Sequence, residues 1–163
     1  MLIQLKNKDK LIVGDFKIKC SIGKNGLKKQ KIEGDCTTPK GIFSLGTVYF
    51  RKDRVDKPIT TLKTKIIKSN MGWGNDINHK NYNKEVNLKK KIRCEKLYRK
   101  DNKYDYLIVI NYNMKKKKFN KGSAIFIHLT KNYQPTAGCI AIQKKDFLIL
   151  MKLISKKSKI KIN

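Results

Sequence analysis

The chain has 163 residues, a length that suits one domain able to bury a sizeable core without a metal or disulfide staple. Its 40 Lys and Arg against 12 Asp and Glu leave a formal charge of +28, but only Arg51, Arg54, Arg93 and Arg99 carry guanidinium forks, so the surface attracts anions without the bidentate groups that read them. Zinc-finger spacing, RNP-like strands, a basic region with heptads and a membrane-length apolar run are all missing, which excludes the common nucleic-acid modules and a helical membrane span.

Read in chain order, Leu2–Leu5 and Leu11–Val13 form short strands around a polar Lys6–Lys10 turn. Phe16, Ile18, Cys20 and Ile22 then alternate with polar residues, a period of two that turns one face to a core, until Gly23–Gly26 breaks it. A Lys-rich connector leads to Gly34-Asp35-Cys36-Thr37-Thr38-Pro39-Lys40-Gly41, a turn entering a predicted strand at Ile42–Phe50. Ser69–Asn87 shows no period and is expected to be a long ordered loop, either a cleft wall or a cover anchored by Trp73. Tyr104–Asn111 and Ala124–Leu129 read as buried strands, the second delivering His128, and Lys115–Lys118 as a solvated hairpin tip. Phe147, Leu150, Met151 and Ile154 repeat at helical spacing over Lys144–Ile154. Lys159–Ile162 alternates and is expected to add an edge strand.

Enrichment in Lys, Asn and Ile leaves two explanations of the charge open, compositional drift and selected binding of polyanions. Cysteines stand at Cys20, Cys36, Cys94 and Cys139 without a Cys-x-x-Cys pair, which argues against a zinc knuckle or a thioredoxin-like motif. A Cys20–Cys36 disulfide stays open in an oxidising compartment, and Cys20 and Cys94 otherwise read as small apolar or bland thiols. The first residues lack a basic region, an apolar segment and a cleavage site, so no export address is expected in the chain as it stands.

The chemistry concentrates between Ile127 and Ile142. A strand ending in His128, a polar loop, and Gly138-Cys139 entering an apolar strand can bring an imidazole to a thiol, the pairing used in Cys–His acyl transfer. The spacing alone also fits a buried Cys and a core His. On the first reading, His128 depresses the Cys139 pKa, and Cys139 should react with iodoacetamide ahead of Cys36 and Cys94.

Ile127-His128 followed by Pro135-Thr136-Ala137-Gly138-Cys139-Ile140-Ala141-Ile142 resembles the active-site signature of the L,D-transpeptidase catalytic domain family (YkuD-type). Gly34-Asp35 through Thr38-Pro39-Lys40-Gly41-Ile42-Phe43 and the strand Gly122–His128 are similar to two further elements of that family. The resemblance implies a mostly β, single L,D-transpeptidase-like β-sandwich or barrel domain over residues 1–163, with one helix at about 144–154. It implies a cysteine-dependent L,D-transpeptidase that acts on peptidoglycan stem peptides, donor and acceptor, through a thioester. Cys139 would be the nucleophile, His128 the proton shuttle, and Gly138, Thr136 and Ala137 the substrate-binding and oxyanion turn. No cofactor, no metal and no specific nucleic acid are implied, and a monomer in the periplasm or cell envelope is expected, with the cytoplasm left open. Many members carry His where Ala137 stands and Arg where Ala141 stands; this chain is similar to a subgroup with Pro-Thr-Ala-Gly-Cys-Ile-Ala. Two alternatives accompany the reading: an L,D-carboxypeptidase or endopeptidase using water, and a basic, non-catalytic protein binding polyanions or peptidoglycan.

Overall fold

A computed structural model describes residues 1–89 and 92–163. The elements are β1 (Leu2–Lys6), β2 (Lys10–Val13), β3 (Phe16–Lys19), β4 (Leu27–Lys28), β5 (Thr38–Pro39), β6 (Gly41–Phe50), β7 (Thr64–Ile66), β8 (Met71–Gly74), β9 (Glu85–Asn87), β10 (Cys94–Lys96), β11 (Tyr106–Ile110), β12 (Phe126–Leu129), β13 (Ile140–Ile142), α1 (Lys144–Leu153) and β14 (Lys159–Ile162).

Asn7 and Lys8 both take positive φ in the turn between β1 and β2, the twist that keeps a tight antiparallel pair in register. Successive pairings build a nine-stranded sheet in the order β13-β12-β11-β6-β14-β1-β2-β3, with β7 also on β6. Past β3 the chain returns to the opposite end of the sheet, where Ser21 and Ala141 exchange two main-chain hydrogen bonds of 2.9 Å each. The sheet is thereby nearly closed into a barrel, and the fold is mostly β, with one helix among the described residues, as expected.

Three expectations change. Ser69–Asn87 is not one long loop: β8 pairs with both β9 and β10 in a separate three-stranded sheet. β8 is buried along its whole length, so its sequence has no polar alternation to announce a strand. Its glycines are packing requirements, because a Cβ at Gly74 would lie 2.4 Å from the Asn81 carbonyl oxygen. Residues 159–162 are not an edge: β14 lies between β6, antiparallel, and β1, parallel. Lys115–Lys118 is not wholly solvated either, since Lys117 Nζ donates to the carbonyls of Lys80 and Tyr82. Phe16 is a smaller departure; it sits at the hairpin end, 47% exposed, while Ile18 and Cys20 are buried as the alternation requires.

The sheet separates two apolar clusters. One contains Ile108, Ile127, Leu129, Ile140 and Ile142 and is covered by Phe147, Leu150 and Met151 of α1, the face that the helical spacing marks as apolar. The other holds Trp73, Tyr104, Leu107, Phe126 and Cys139. Trp73 meets Phe126 edge to face at 5.2 Å, and its Nε1 donates to Asn83 Oδ1, which also accepts from the Ala124 N–H. Asn83 thus ties the small sheet to the segment leading into β12.

Candidate active site

β12 and β13 run parallel with Ile127 opposite Ile140 and His128 opposite Ala141. Side chains alternate across a pleated sheet, so Phe126, His128, Cys139 and Ala141 share one face while their neighbours fill the helix-covered core. The two residues singled out from the motif are therefore brought to the same side. Both line a cleft of about 930 Å³ with Glu95, Arg99, Thr136 and Ala137. Asn75 also lines it, so the segment after β8 does contribute to a wall.

His128 is 7% exposed, and its Nδ1 lies 2.9 Å from the Leu129 carbonyl oxygen. A carbonyl only accepts, so Nδ1 carries the proton and Nε2 keeps a lone pair. Burial, followed by the Lys103 and Arg99 cations and against the Leu129 bond, lowers the imidazole pKa to about 4. His128 is consequently a neutral base near pH 7. Tyr104 stands against the imidazole at 5.3 Å and 66°, its hydroxyl donating to Glu95. Burial raises the Glu95 carboxyl.

The Cys139 thiol is enclosed. It donates to the Ala124 carbonyl at 3.2 Å and accepts from the Phe126 N–H at 3.3 Å. Burial first, and the Glu95 charge second, push it up to about 12, against the opposing Phe126 N–H and Lys31 ammonium. The expectation of a depressed pKa is overturned. A neutral imidazole offers no positive charge to hold a thiolate, and the enclosing aromatic cluster removes water.

Gly138 takes φ +139, and a Cβ there would come within 2.8 Å of the Thr37 carbonyl oxygen, so the position requires glycine. Its N–H donates to Thr136 Oγ1 at 3.1 Å, and that hydroxyl donates to the Cys139 carbonyl at 2.6 Å. Thr136 therefore braces the turn, while Ala137 is exposed at the cleft. Residues 22–24 hold the loop from outside: Thr136 N–H donates to the Ile22 carbonyl, and Lys24 N–H to that of Thr136.

Cys20, Cys36, Cys94 and Cys139 are all free thiols, which answers the open Cys20–Cys36 pairing. Cys20 is buried, and burial raises it to about 12. Motif reading missed Lys31, Glu95, Tyr104 and Arg99, which approach from three separate segments. Their only sequence signal is charge or aromaticity in stretches without period.

Among the described residues no helix is long and apolar enough to cross a membrane. No curated protein matches the chain. The family model for the L,D-transpeptidase catalytic domain (YkuD) matches residues 2–162, nearly the whole chain and both halves of the barrel, and the chain belongs to that family.

Proposed function

We propose that the protein is a cysteine-dependent L,D-transpeptidase acting on peptidoglycan stem peptides, with Cys139 as nucleophile and His128 as proton shuttle. The observation that carries the reading is their placement on one sheet face within one cleft, with the Nε2 lone pair of His128 left free by the Nδ1–Leu129 bond. His128 Nε2 takes the thiol proton as Sγ adds to the carbonyl carbon of the L-centre residue, giving a tetrahedral oxyanion and an imidazolium. Collapse breaks the C–N bond, the imidazolium protonates the departing amine of the D-residue, and a thioester remains on Cys139. An amine of a second stem peptide then attacks the thioester, losing its proton to His128, and the thiol is regenerated as the new peptide bond forms. Gly138 and the turn at 136–137 receive the donor, Gly138 by lacking a side chain beside the reacting carbonyl. The reading places the enzyme in the cell envelope as a monomer, acting as one domain over residues 1–163.

Incubation with purified disaccharide tetrapeptide, read by mass spectrometry, should yield the cross-linked dimer and the free terminal D-residue. Release of that residue without any dimer would assign water as the acceptor and make the protein a carboxypeptidase. Cys139→Ala should abolish both products, and a folded His128→Ala protein should turn over roughly 10²–10⁴-fold more slowly. Salt-sensitive binding of the substrate with neither product would favour a non-catalytic binding protein.

A further inference from the structure

The loop between β4 and β5 carries a lysine in an unusual place. Lys31 is 3% exposed, although lysine is among the residues least often buried. Its methylenes cross Gly122, where a Cβ would meet Cε at 2.8 Å, and its Nζ ends 3.4 Å from the point a Gly138 Cβ would occupy. The ammonium thus stops beside the residue that precedes Cys139, in the wall of the same cleft. It donates to Asp35 Oδ1 at 2.6 Å. Asp35 also accepts from the N–H groups of Ile32 and Thr37 and from the Thr37 hydroxyl. Burial works against this carboxylate, yet those bonds hold it well below its usual range, so the Lys31–Asp35 contact is an ion pair.

Proton transfer from Cys139 to His128 creates two charges in a place that disfavours both. The charges acting on the thiol are those of Glu95 from β10 and Lys31, with the Tyr104 hydroxyl ahead of β11 close to it, while Lys103, Arg99 and Asp101 act on the His128 imidazole in the same cleft. Glu95 opposes a thiolate, and Tyr104 and His128 are neutral. A cation already fixed at the cleft wall stabilises new negative charge without reorganising.

We infer that Lys31 is the counter-charge of the Cys139 site, a positioning residue whose ammonium, anchored by Asp35 beside Gly138, stabilises the thiolate formed as His128 takes the thiol proton and the oxyanion that follows. The inference rests on the reading of Cys139 as nucleophile.

The test is the rate of iodoacetamide alkylation of Cys139 in the intact, substrate-free protein, followed by peptide mapping from about pH 6 to about pH 9. Only the thiolate reacts, so the logarithm of the rate climbs with pH and the height of the line reports the thiolate share. Lys31→Met should lower that line about tenfold or more, since an opposite charge at close range is worth about 1–3 pKa units. Lys31→Arg should restore it to within about threefold, and Asp35→Asn should raise it by freeing the ammonium. A lysine with only a structural role gives the opposite sign, because a loosened loop uncovers the thiol and speeds labelling. Should Lys31→Met fail to fold, Lys31→Met with Asp35→Asn removes both charges and should still label Cys139 more slowly than Asp35→Asn alone. Unchanged or faster labelling in folded Lys31→Met would overturn the inference, as would an Asp35→Asn protein labelled no faster than wild type. Peptide transfer retained by Cys139→Ala would instead remove the nucleophile assignment and leave the alkylation comparison readable.

Discussion

Thr38 Oγ1 donates to the Gly138 carbonyl at 2.8 Å, joining residues a hundred positions apart in the sequence. The same hydroxyl accepts from the Gly23 N–H at 2.8 Å, and Thr38 is fully buried. One side chain therefore holds three chain segments around the nucleophile turn.

Thr38→Val keeps the shape and removes both bonds, stranding a buried carbonyl and a buried N–H. Stability should fall by about 1–3 kcal/mol. For a chain of this length that lowers Tm by roughly 2–4 °C per kcal/mol, measurable by calorimetry. Peptide transfer should fall with it, since Gly138 loses its register against Thr37. A Tm within about 1 °C of wild type would show that the hydroxyl holds nothing.

His128 makes stability depend on pH in a defined window. The folded protein holds the imidazole neutral down to about pH 4, whereas an unperturbed histidine titrates near 6.5. Between those values the unfolded chain binds a proton that the folded chain refuses, so the His128 contribution lowers stability as pH falls from about 6.5 to about 4 and changes no further below. The ceiling is roughly 3 kcal/mol. Glu95, whose carboxyl is raised, acts in the opposite sense and adds stability as pH falls through its range. Urea titrations of wild type and His128→Gln cancel that contribution in the difference. A wild-type minus variant difference that stays constant across the window would refute a buried neutral imidazole.

Cys139 should be a slow thiol in the free protein. At about pH 7, iodoacetamide should label the half-exposed Cys36 and Cys94 before Cys139, and His128→Ala should leave that order intact because the imidazole it removes is uncharged. Peptide mapping of partially labelled protein reads the order. Preferential labelling of Cys139 at mildly acidic pH would mean that a thiolate–imidazolium pair already exists before substrate arrives.

These outcomes mark what could be read from residues and what could not. Short apolar runs around a polar turn located β1 and β2, alternation located β3, helical spacing located α1 with Phe147, Leu150 and Met151 facing inward, and local motifs placed His128 in β12 and Cys139 at the entry to β13 in one cleft. Periodicity reports only how many faces of an element are buried, so β8, covered on both, looked like loop, and β14 gave no sign of having two neighbours. The protonation of the site was illegible for a different reason. It is set by Tyr104, Glu95 and the cluster around Trp73, which reach Cys139 from segments that no spacing connects to it.

The position of β14 also orders events during folding. Residues 159–162 are translated after Cys139, yet they lie between β6 and β1. Until β14 pairs, β1, β2 and β3 stand on one side and β6, β11, β12 and β13 on the other, without their common neighbour and each with an unpaired edge. Such non-local closure is slow compared with pairing within a hairpin. The barrel's two halves meet through that strand and through the Ser21–Ala141 bridge, so the sheet that carries the thiol and the imidazole becomes continuous with β1, β2 and β3 only once β14 has paired.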